Sequence, residues 1–173
     1  MAGQVVVLNG APRSGKSSIA AALQELADEP WFNLGVDLMR RATPPALQPG
    51  VGLRPGEPNH PAAAAQPLLY AALYESVAAY ARLGLNVVVD VGHHDDAIFA
   101  DCKQRLSGLR VLFVGVRCPI DTNVKRRRET GFPDDPALAQ RWEEAVHNHV
   151  YELEVDTSQR TPRECAAAIL AAI

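Results

Sequence analysis

One short segment near the start of the chain, residues 10–17 (GAPRSGKS), constrains the fold more than any other feature. It matches the pattern G-x-x-x-x-G-K-[ST] at every fixed position. Residues 4–9 before it form an apolar run typical of a buried parallel strand. Residues 17–26 after it are rich in helix formers, with Ile19, Leu23 and Leu26 on one face. Strand, glycine-containing loop and helix in this order predict a phosphate-binding loop.

Such a loop binds phosphate through its backbone. Glycines let the chain approach an anion closely, and the amide groups and the helix dipole then favour negative charge. Lys16 is expected to reach the β- and γ-phosphates, and the Ser17 hydroxyl is expected to hold Mg²⁺. The sequence therefore predicts a bound nucleoside triphosphate with Mg²⁺. The candidate nucleotide-binding residues are Gly10, Ala11, Pro12, Arg13, Ser14, Gly15, Lys16, Ser17 and Ser18.

Length and charge narrow the class of protein. The 173 residues predict one domain over 1–173, and a net charge of −3 does not favour nucleic acid or a membrane surface as partner. No run approaches the roughly 20 apolar residues of a membrane span. The first strand starts near Met1, which leaves no room for a signal peptide, so we expect a cytoplasmic protein with reduced cysteines. A homo-oligomer is compatible with the sequence, which does not fix the oligomeric state.

Apolar runs alternate with helical patterns along the rest of the chain. This alternation predicts an α/β fold whose parallel sheet is covered by helices on both faces. Right-handed crossovers would place the phosphate loop and the carboxyl ends of the following strands at one edge. The predicted strands are 4–9, 31–36, 86–91, 110–116 and 151–155, and the later helices are 38–42, 68–83, one ending near 106, one starting at Pro119, 137–150 and 161–173.

The segment 43–67 fits no regular element, because it holds seven prolines and three glycines. A long irregular segment in a compact domain is usually functional or disordered. We interpret it as a surface loop on the substrate side of the site, the alternative being a loop without a role.

Two aspartates are placed at the predicted catalytic edge. Asp37 follows the second strand, where its carboxylate could take the proton of a substrate hydroxyl, or only cap the next helix. Asp90 ends the apolar run 87–89, the usual place for an acid that orients Mg²⁺ or its water shell. We therefore expect Asp37 to be the general base and Asp90 to join Ser17 in the metal site.

The arginine cluster 126–128 falls in one helical turn, so its members cannot all point the same way. Arg127 and Arg128 are predicted to stabilise charge during phosphoryl transfer, against the alternative of a solvated basic face. Arg141 is a weaker candidate. His93 and His94 either contact substrate or belong to a polar loop. His147 and His149 lack the spacing of a zinc site. Cys118 has no neighbouring base that would activate it as a nucleophile.

Taken together, these segments resemble the chloramphenicol phosphotransferase family, small P-loop kinases that phosphorylate a hydroxyl of the antibiotic. The resemblance runs nearly end to end. The segments that carry it are LNG (8–10) leading into SGKS (14–17), PW (30–31), GVD (35–37), VVVDV (87–91), VGVRC (114–118), RET (128–130) and VDT (155–157).

The resemblance implies a P-loop NTPase fold of the adenylate-kinase type, with five parallel strands in the order 2-3-1-4-5 and ATP as donor. It also implies that Asp37 is the general base. The acidic run 131–136 departs from the family's arginine-rich lid, and 43–67 is unlike its substrate loop. These departures leave the lid arginines and the acceptor open.

The sequence thus favours an ATP-dependent kinase that acts on a hydroxyl of a small molecule, chloramphenicol or a related antibiotic. One alternative is a metabolite kinase of the shikimate or gluconate type, with Arg40 or Arg41 binding an acidic substrate. A second is a nucleotide-binding module that hydrolyses ATP slowly and works through a partner. Transfer to an acceptor would separate the kinases from the module.

Overall fold

The computed structural model describes residues 1–48, 50–51, 54–55, 61–93, 95–131 and 136–173. In these residues the main sheet has five strands, all parallel, in the order β2-β5-β1-β6-β7. Counted among themselves along the chain, these strands have the order 2-3-1-4-5, which confirms the expected fold. The strands are β1 (Gln4–Asn9), β2 (Trp31–Asn33), β5 (Asn86–Val91), β6 (Arg110–Arg117) and β7 (Leu153–Asp156).

Helices connect the strands and cover the sheet. They are α1 (Lys16–Leu26), α2 (Val36–Ala42), α3 (Gln66–Arg82), α4 (Asp96–Arg105), α5 (Ile120–Glu129), α6 (Pro136–His147) and α7 (Pro162–Leu170). Local sequence sets several of their ends. Asp95 caps α4 by accepting hydrogen bonds from the amides of Ala97 and Ile98, and Thr161 with Glu164 forms a capping box at α7.

The alternating side chains of β1 divide the core between the two faces of the sheet. Val5 and Val7 pack with residues of α3 and α4, whereas Val6 and Leu8 pack with residues of α1 and α7. All four are fully buried. Burial on both faces explains why β1 reads as a continuous apolar run and not as an alternating one.

The second strand is shorter than the sequence indicated. The run 31–36 was expected to be extended, but β2 ends at Asn33 and Val36 already begins α2. Gly35, in an extended conformation, precedes the helix, and Asp37 falls in the first turn. A carboxylate is favourable there because the helix dipole is positive at that end. Asp37 therefore belongs to a helix and not to a strand end.

The segment 43–67 is not wholly irregular. Its described residues form short 3₁₀ turns at Pro45–Leu47 and Pro61–Ala65, and Gly50–Val51 (β3) pairs antiparallel with Arg54–Pro55 (β4). Residues 49, 52–53 and 56–60 of this segment lie outside the described residues, as do His94 and 132–135 of the predicted acidic turn.

Parallel strands bring the first residues of each connection to one edge. The loop after β1, the start of α2, Asp90 in β5 and the start of α5 after β6 all meet at this carboxyl edge of the sheet. Over the described ranges, none of the helices combines the length and apolar character that crossing a bilayer requires.

Candidate active site

The loop between β1 and α1 has the conformation that a phosphate-binding loop needs. Gly15, at the start of α1, has φ of 97°, in the left-handed region that favours glycine. Arg13 also has a positive φ, 68°, and is the one described non-glycine residue with such a value. The amide of Ser14 donates to the carbonyl of Ala11 at 3.1 Å. The loop thus curls around the amino end of α1, where backbone amides and the helix dipole favour an anion.

Lys16 lies within this loop. Its side chain is largely buried, and its ammonium group donates to the carbonyl oxygens of Gly10 (2.9 Å) and Ala11 (2.8 Å). The positive charge is therefore held over the loop by backbone dipoles. Phosphate oxygens entering the loop would meet an ammonium group already oriented there.

Two polar side chains from distant elements fix the shape of the loop. Asn123 of α5 donates from Nδ2 to the carbonyl of Pro12 at 2.8 Å. Thr157, just after β7, donates from its hydroxyl to the carbonyl of Ser14 at 2.7 Å. Both side chains are buried. Neither residue was predicted to have a role, although Thr157 follows an apolar strand at the same sheet edge as Asp90.

Ser17 and Asp90 form the candidate metal site. The Ser17 hydroxyl donates to Oδ2 of Asp90 at 2.6 Å, joining α1 to the end of β5. A hydroxyl and a carboxylate are the hard oxygen donors that Mg²⁺ takes, and Mg²⁺ usually keeps several waters and phosphate ligands besides. Throughout the described ranges no cluster of three or more His, Cys, Asp or Glu side chains is placed to hold a metal. The donor set thus fits Mg²⁺ bound together with a phosphate.

Asp37 lies in the first turn of α2 with its side chain 69% exposed. Its Oδ1 is 3.8 Å from Nε of Arg40 one turn later. Gly35, two residues earlier, contacts the Asp90 carboxylate, so the start of α2 is placed beside the candidate metal site. The exposed carboxylate is thus accessible to an incoming substrate.

The three arginines of α5 have different surroundings. Arg126 points toward the phosphate loop, where Nη1 donates to the Thr157 hydroxyl (2.9 Å) and Nη2 to the Thr157 carbonyl (2.8 Å). Arg127 is fully buried, with its guanidinium 5.3 Å from the centre of the Trp142 ring of α6. Arg128 is exposed. Arg127 and Arg128 were predicted to act in phosphoryl transfer, whereas the arginine that lies at the loop is Arg126.

A cleft of about 390 Å³ opens beside the phosphate loop. One wall is the start of α1, and the other is formed by the end of α5 and the chain that follows β7. Residues lining it are Arg13, Gly15, Lys16, Ser17, Ser18, Arg126, Glu129, Thr130, Thr157 and Pro162. The cleft is continuous with the loop and large enough for a small polar ligand. Arg141 does not line this cleft.

His93 and His149 are packing residues. His93 is buried, shares a hydrogen bond with the Tyr74 hydroxyl, and donates its backbone amide to Oδ1 of Asn9 at 2.7 Å. The His149 ring packs 4.2 Å from the Phe99 ring, and burial lowers the pKa of His149. His93 was predicted to contact substrate or to lie in a polar loop, but its side chain is buried among the rings of Tyr74 and Phe99.

His147 is half-exposed and pairs with Glu143 of α6, where its Nε2 lies 3.1 Å from a carboxylate oxygen. Glu143 is buried, and burial raises the pKa of its carboxyl. Cys118 lies in the same region and is buried as well, and burial likewise raises the pKa of its thiol. A raised pKa disfavours the thiolate, which agrees with a structural Cys118.

The fold resembles solved structures that include kinases over nearly its whole length. A tunicamycin resistance protein of Deinococcus radiodurans superposes with a TM-score of 0.70 at 19% identity, covering 98% of this chain and 95% of that one. A gluconokinase of Sinorhizobium meliloti gives 0.68 at 23% identity, with 98% and 92% covered. A shikimate kinase of Acinetobacter baumannii, solved with shikimate, gives 0.66 at 16% identity, with 98% and 92% covered. At these identities the likeness shows the fold.

Sequence comparison identifies the family. The chain is 29% identical over 179 residues to a protein of Mycobacterium tuberculosis whose curated name assigns it provisionally to the O-phosphotransferases, with 95% of this chain and 79% of that protein aligned. The model of the family described as chloramphenicol phosphotransferase-like protein matches residues 3–173. With its P-loop kinase fold and this match along almost the entire sequence, the chain belongs to the chloramphenicol phosphotransferase-like family.

Proposed function

We propose that this protein transfers the γ-phosphoryl group of ATP to a hydroxyl group of a small molecule. The observation that carries the proposal is the Ser17–Asp90 pair, 2.6 Å apart, beside a phosphate loop whose Lys16 is already oriented. Loop, lysine, hydroxyl and carboxylate are the parts that P-loop enzymes use to bind a nucleoside triphosphate with Mg²⁺. Membership of a phosphotransferase-like family supports the same reaction class.

The nucleotide would occupy the loop and the adjoining cleft. Backbone amides of residues 10–17 and the Lys16 ammonium would bind the phosphates, and the nucleoside would extend along the wall that Arg126 and Pro162 line. An arginine guanidinium stacks well on a flat aromatic base. Ser17 and Asp90 would hold Mg²⁺, which neutralises phosphate charge when bound.

Asp37 would act as the general base. The acceptor oxygen forms a bond to the γ-phosphorus, the bond from that phosphorus to the bridging oxygen of ADP breaks, and the acceptor proton passes to the Asp37 carboxylate. The exposed position of Asp37 at the start of α2 suits this role, because a substrate can reach it from solvent. Arg126 would stabilise the charge of the moving phosphoryl group, because it lies in the cleft, whereas Arg127, also predicted for this role, is fully buried against Trp142. Arg128 stays proposed for the same role.

Chloramphenicol or a related antibiotic is the first acceptor to test, because the family is named for it. A second candidate function is a metabolite kinase acting on a hydroxy acid. The observation that favours it is Arg40, whose Nε lies 3.8 Å from Asp37 and could bind a substrate carboxylate beside the base.

The test is to incubate the protein with ATP, MgCl₂ and chloramphenicol and to measure the mass of the antibiotic. We expect a gain of one phosphoryl group. Asp37→Asn should abolish transfer while ADP affinity stays within about twofold, because the carboxylate acts on the acceptor and not on the nucleotide. Asp96→Asn is the matched control, since Asp96 is also an exposed first-turn acid but lies in α4.

Transfer to chloramphenicol that persists in Asp37→Asn would refute the general-base assignment. Unchanged chloramphenicol together with phosphorylated gluconate or shikimate would favour the metabolite kinase. ATP hydrolysis without transfer to any acceptor would refute the proposed reaction.

A further inference from the structure

Gly35 lies against the Asp90 carboxylate. A Cβ atom built on Gly35 would overlap Oδ1 of Asp90 and would stand 2.9 Å from its Cγ. Real Cβ atoms essentially never come that close to another heavy atom, so a side chain at position 35 and the present position of the carboxylate exclude each other.

The reason for a glycine here is space and not backbone conformation. Gly35 has φ of −73° and ψ of 172°, which any residue adopts. Gly84 and Gly108, by contrast, have positive φ values, where glycine is favoured by its conformation. Position 35 is therefore one at which the neighbouring Asp90 carboxylate, and not the backbone conformation, selects against a side chain.

The backbone at Gly35 has little freedom to move away. Asn33 pairs with Val88 in the sheet, and the amide of Leu34 donates to the carbonyl of Val88 at 3.0 Å. The Gly35 amide donates to Oδ1 of Asn33 at 3.2 Å. The segment before Gly35 is thus bound to Val88, which lies two residues before Asp90 in β5. A side chain added at position 35 would therefore displace the Asp90 carboxylate and not the backbone.

The other oxygen of Asp90 is fixed from the opposite side. Its Oδ2 accepts the hydrogen bond from the Ser17 hydroxyl, and the residue is 6% exposed. The carboxylate is thus enclosed between Gly35 and Ser17. A displacement forced at Oδ1 would break the geometry that presents hydroxyl and carboxylate together.

Gly35 also begins the helix that carries the proposed base. Its carbonyl accepts from the amides of Leu38 (3.1 Å) and Met39 (3.4 Å), forming the first turn of α2 around Asp37. The closeness of Gly35 to Asp90 therefore sets how near the start of α2 approaches the metal site.

We propose that Gly35 is a positioning residue. Because it has no side chain, it leaves space for the Asp90 carboxylate in the position that Mg²⁺ requires, and it allows the helix that carries Asp37 to lie beside that carboxylate. This inference rests on the proposed function, because it takes Ser17 and Asp90 as the Mg²⁺ site. It adds a residue that determines where both carboxylates lie.

The experiment measures ADP affinity by calorimetry with MgCl₂ and with EDTA, which requires no acceptor. Mg²⁺ is expected to raise the ADP affinity of the unaltered protein by some factor, and in Gly35→Ala we expect this factor to be at least tenfold smaller. The ADP affinity of Gly35→Ala in EDTA should stay within about twofold of that of the unaltered protein. Gly3→Ala is the matched control, because its Cβ would overlap the carbonyl oxygen of Leu85 far from the loop. That variant should lose stability while keeping the full effect of Mg²⁺.

A double-mutant cycle with Asp90→Ala isolates the contact. Once the carboxylate is removed, Gly35→Ala should change neither Mg²⁺-linked affinity nor stability further. If Gly35→Ala alone fails to fold, the added Asp90→Ala should restore folding. A Gly35→Ala protein with a normal Mg²⁺ effect, or equal losses with and without the Asp90 carboxylate, would overturn the inference.

These outcomes separate the inference from the reaction. Loss of the Mg²⁺ effect in Gly35→Ala supports the inference even if no acceptor is phosphorylated. A lack of phosphorylation would refute only the transfer reaction. ADP affinity that ignores Mg²⁺ in the unaltered protein would overturn the inference and the metal assignment together.

Discussion

Thr157 links three parts of the site through one hydroxyl. The hydroxyl donates to the carbonyl of Ser14 in the phosphate loop and accepts from Nη1 of Arg126, which lines the cleft beside that loop. A buried hydroxyl in this position fixes the loop and the arginine relative to each other. Its effect on binding should therefore exceed that of an ordinary buried threonine.

Thr157→Val tests this linkage, because valine keeps the shape and removes the hydrogen bonds. We expect stability to fall by about 1–3 kcal/mol, since the carbonyl and the guanidinium lose a buried partner, and ADP affinity to fall several-fold. The measurements are urea unfolding and calorimetric ADP titration.

Thr43→Val is the control for this substitution. Thr43 is also buried and donates one hydrogen bond, to the carbonyl of Met39, remote from the cleft. It should lose stability with no change in ADP affinity. Equal effects of the two valines on ADP affinity would contradict a specific role for Thr157.

At the scale of elements, the junction of α5 and α6 depends on a buried charge. Arg127 is fully buried against Trp142, while its neighbour Arg126 reaches the cleft and Arg128 faces solvent. One helical turn thus supplies an arginine to the helix junction, one to the nucleotide cleft and one to the surface. A buried guanidinium over an indole ring contributes through both packing and charge.

Arg127→Ala should lower the free energy of unfolding by about 2 kcal/mol or more, because the guanidinium packed on the Trp142 ring is removed and a buried space is left. Arg128→Ala should stay within about 0.5 kcal/mol of the unaltered protein, as expected for an exposed residue. Chemical denaturation followed by tryptophan fluorescence measures both. Comparable losses from the two alanines would show that Arg127 is not a packing residue.

The elements whose bounds the sequence predicted best are strands that coincide with an uninterrupted apolar run. β1 and β5 begin and end where their apolar runs do, because a strand buried on both faces needs apolar residues throughout. The predicted end of the second strand was wrong because residues 34–36 also look β-forming, although β2 ends at Asn33 and Val36 begins α2.

The candidate site also combines features that the sequence predicts with features that it does not. The phosphate loop and the pairing of Ser17 with Asp90 follow from motif and strand order. Asn123 and Thr157 lie 111 and 143 positions from the loop carbonyls that they bind, and nothing local marks such contacts. The choice among the three arginines likewise depends on how α5 rotates against α6, which a run of identical residues does not reveal.

At the scale of the whole molecule, ligand binding should appear as global stability. ADP with MgCl₂ at about 100 times its dissociation constant adds about 2.7 kcal/mol if it binds the folded state alone. For a chain of this length that corresponds to a rise in Tm of roughly 5–10 °C. Differential scanning calorimetry at increasing ADP measures it.

Lys16→Ala is the comparison for this rise. The variant loses the ammonium group that lies over the loop, so the same ADP concentration should raise its Tm by much less. An equal rise in both proteins would place the ADP outside the phosphate loop.

The lengths of the strands bear on how copies of the chain meet one another. The two edge strands are the shortest of the sheet, with three residues in β2 and four in β7, against six in β1 and β5 and eight in β6. An edge strand is a template on which a foreign strand can grow, and short edges are one way in which proteins prevent it. Long strands of this sheet are all interior. The short edge strands of this sheet therefore limit edge-to-edge pairing between copies of the chain.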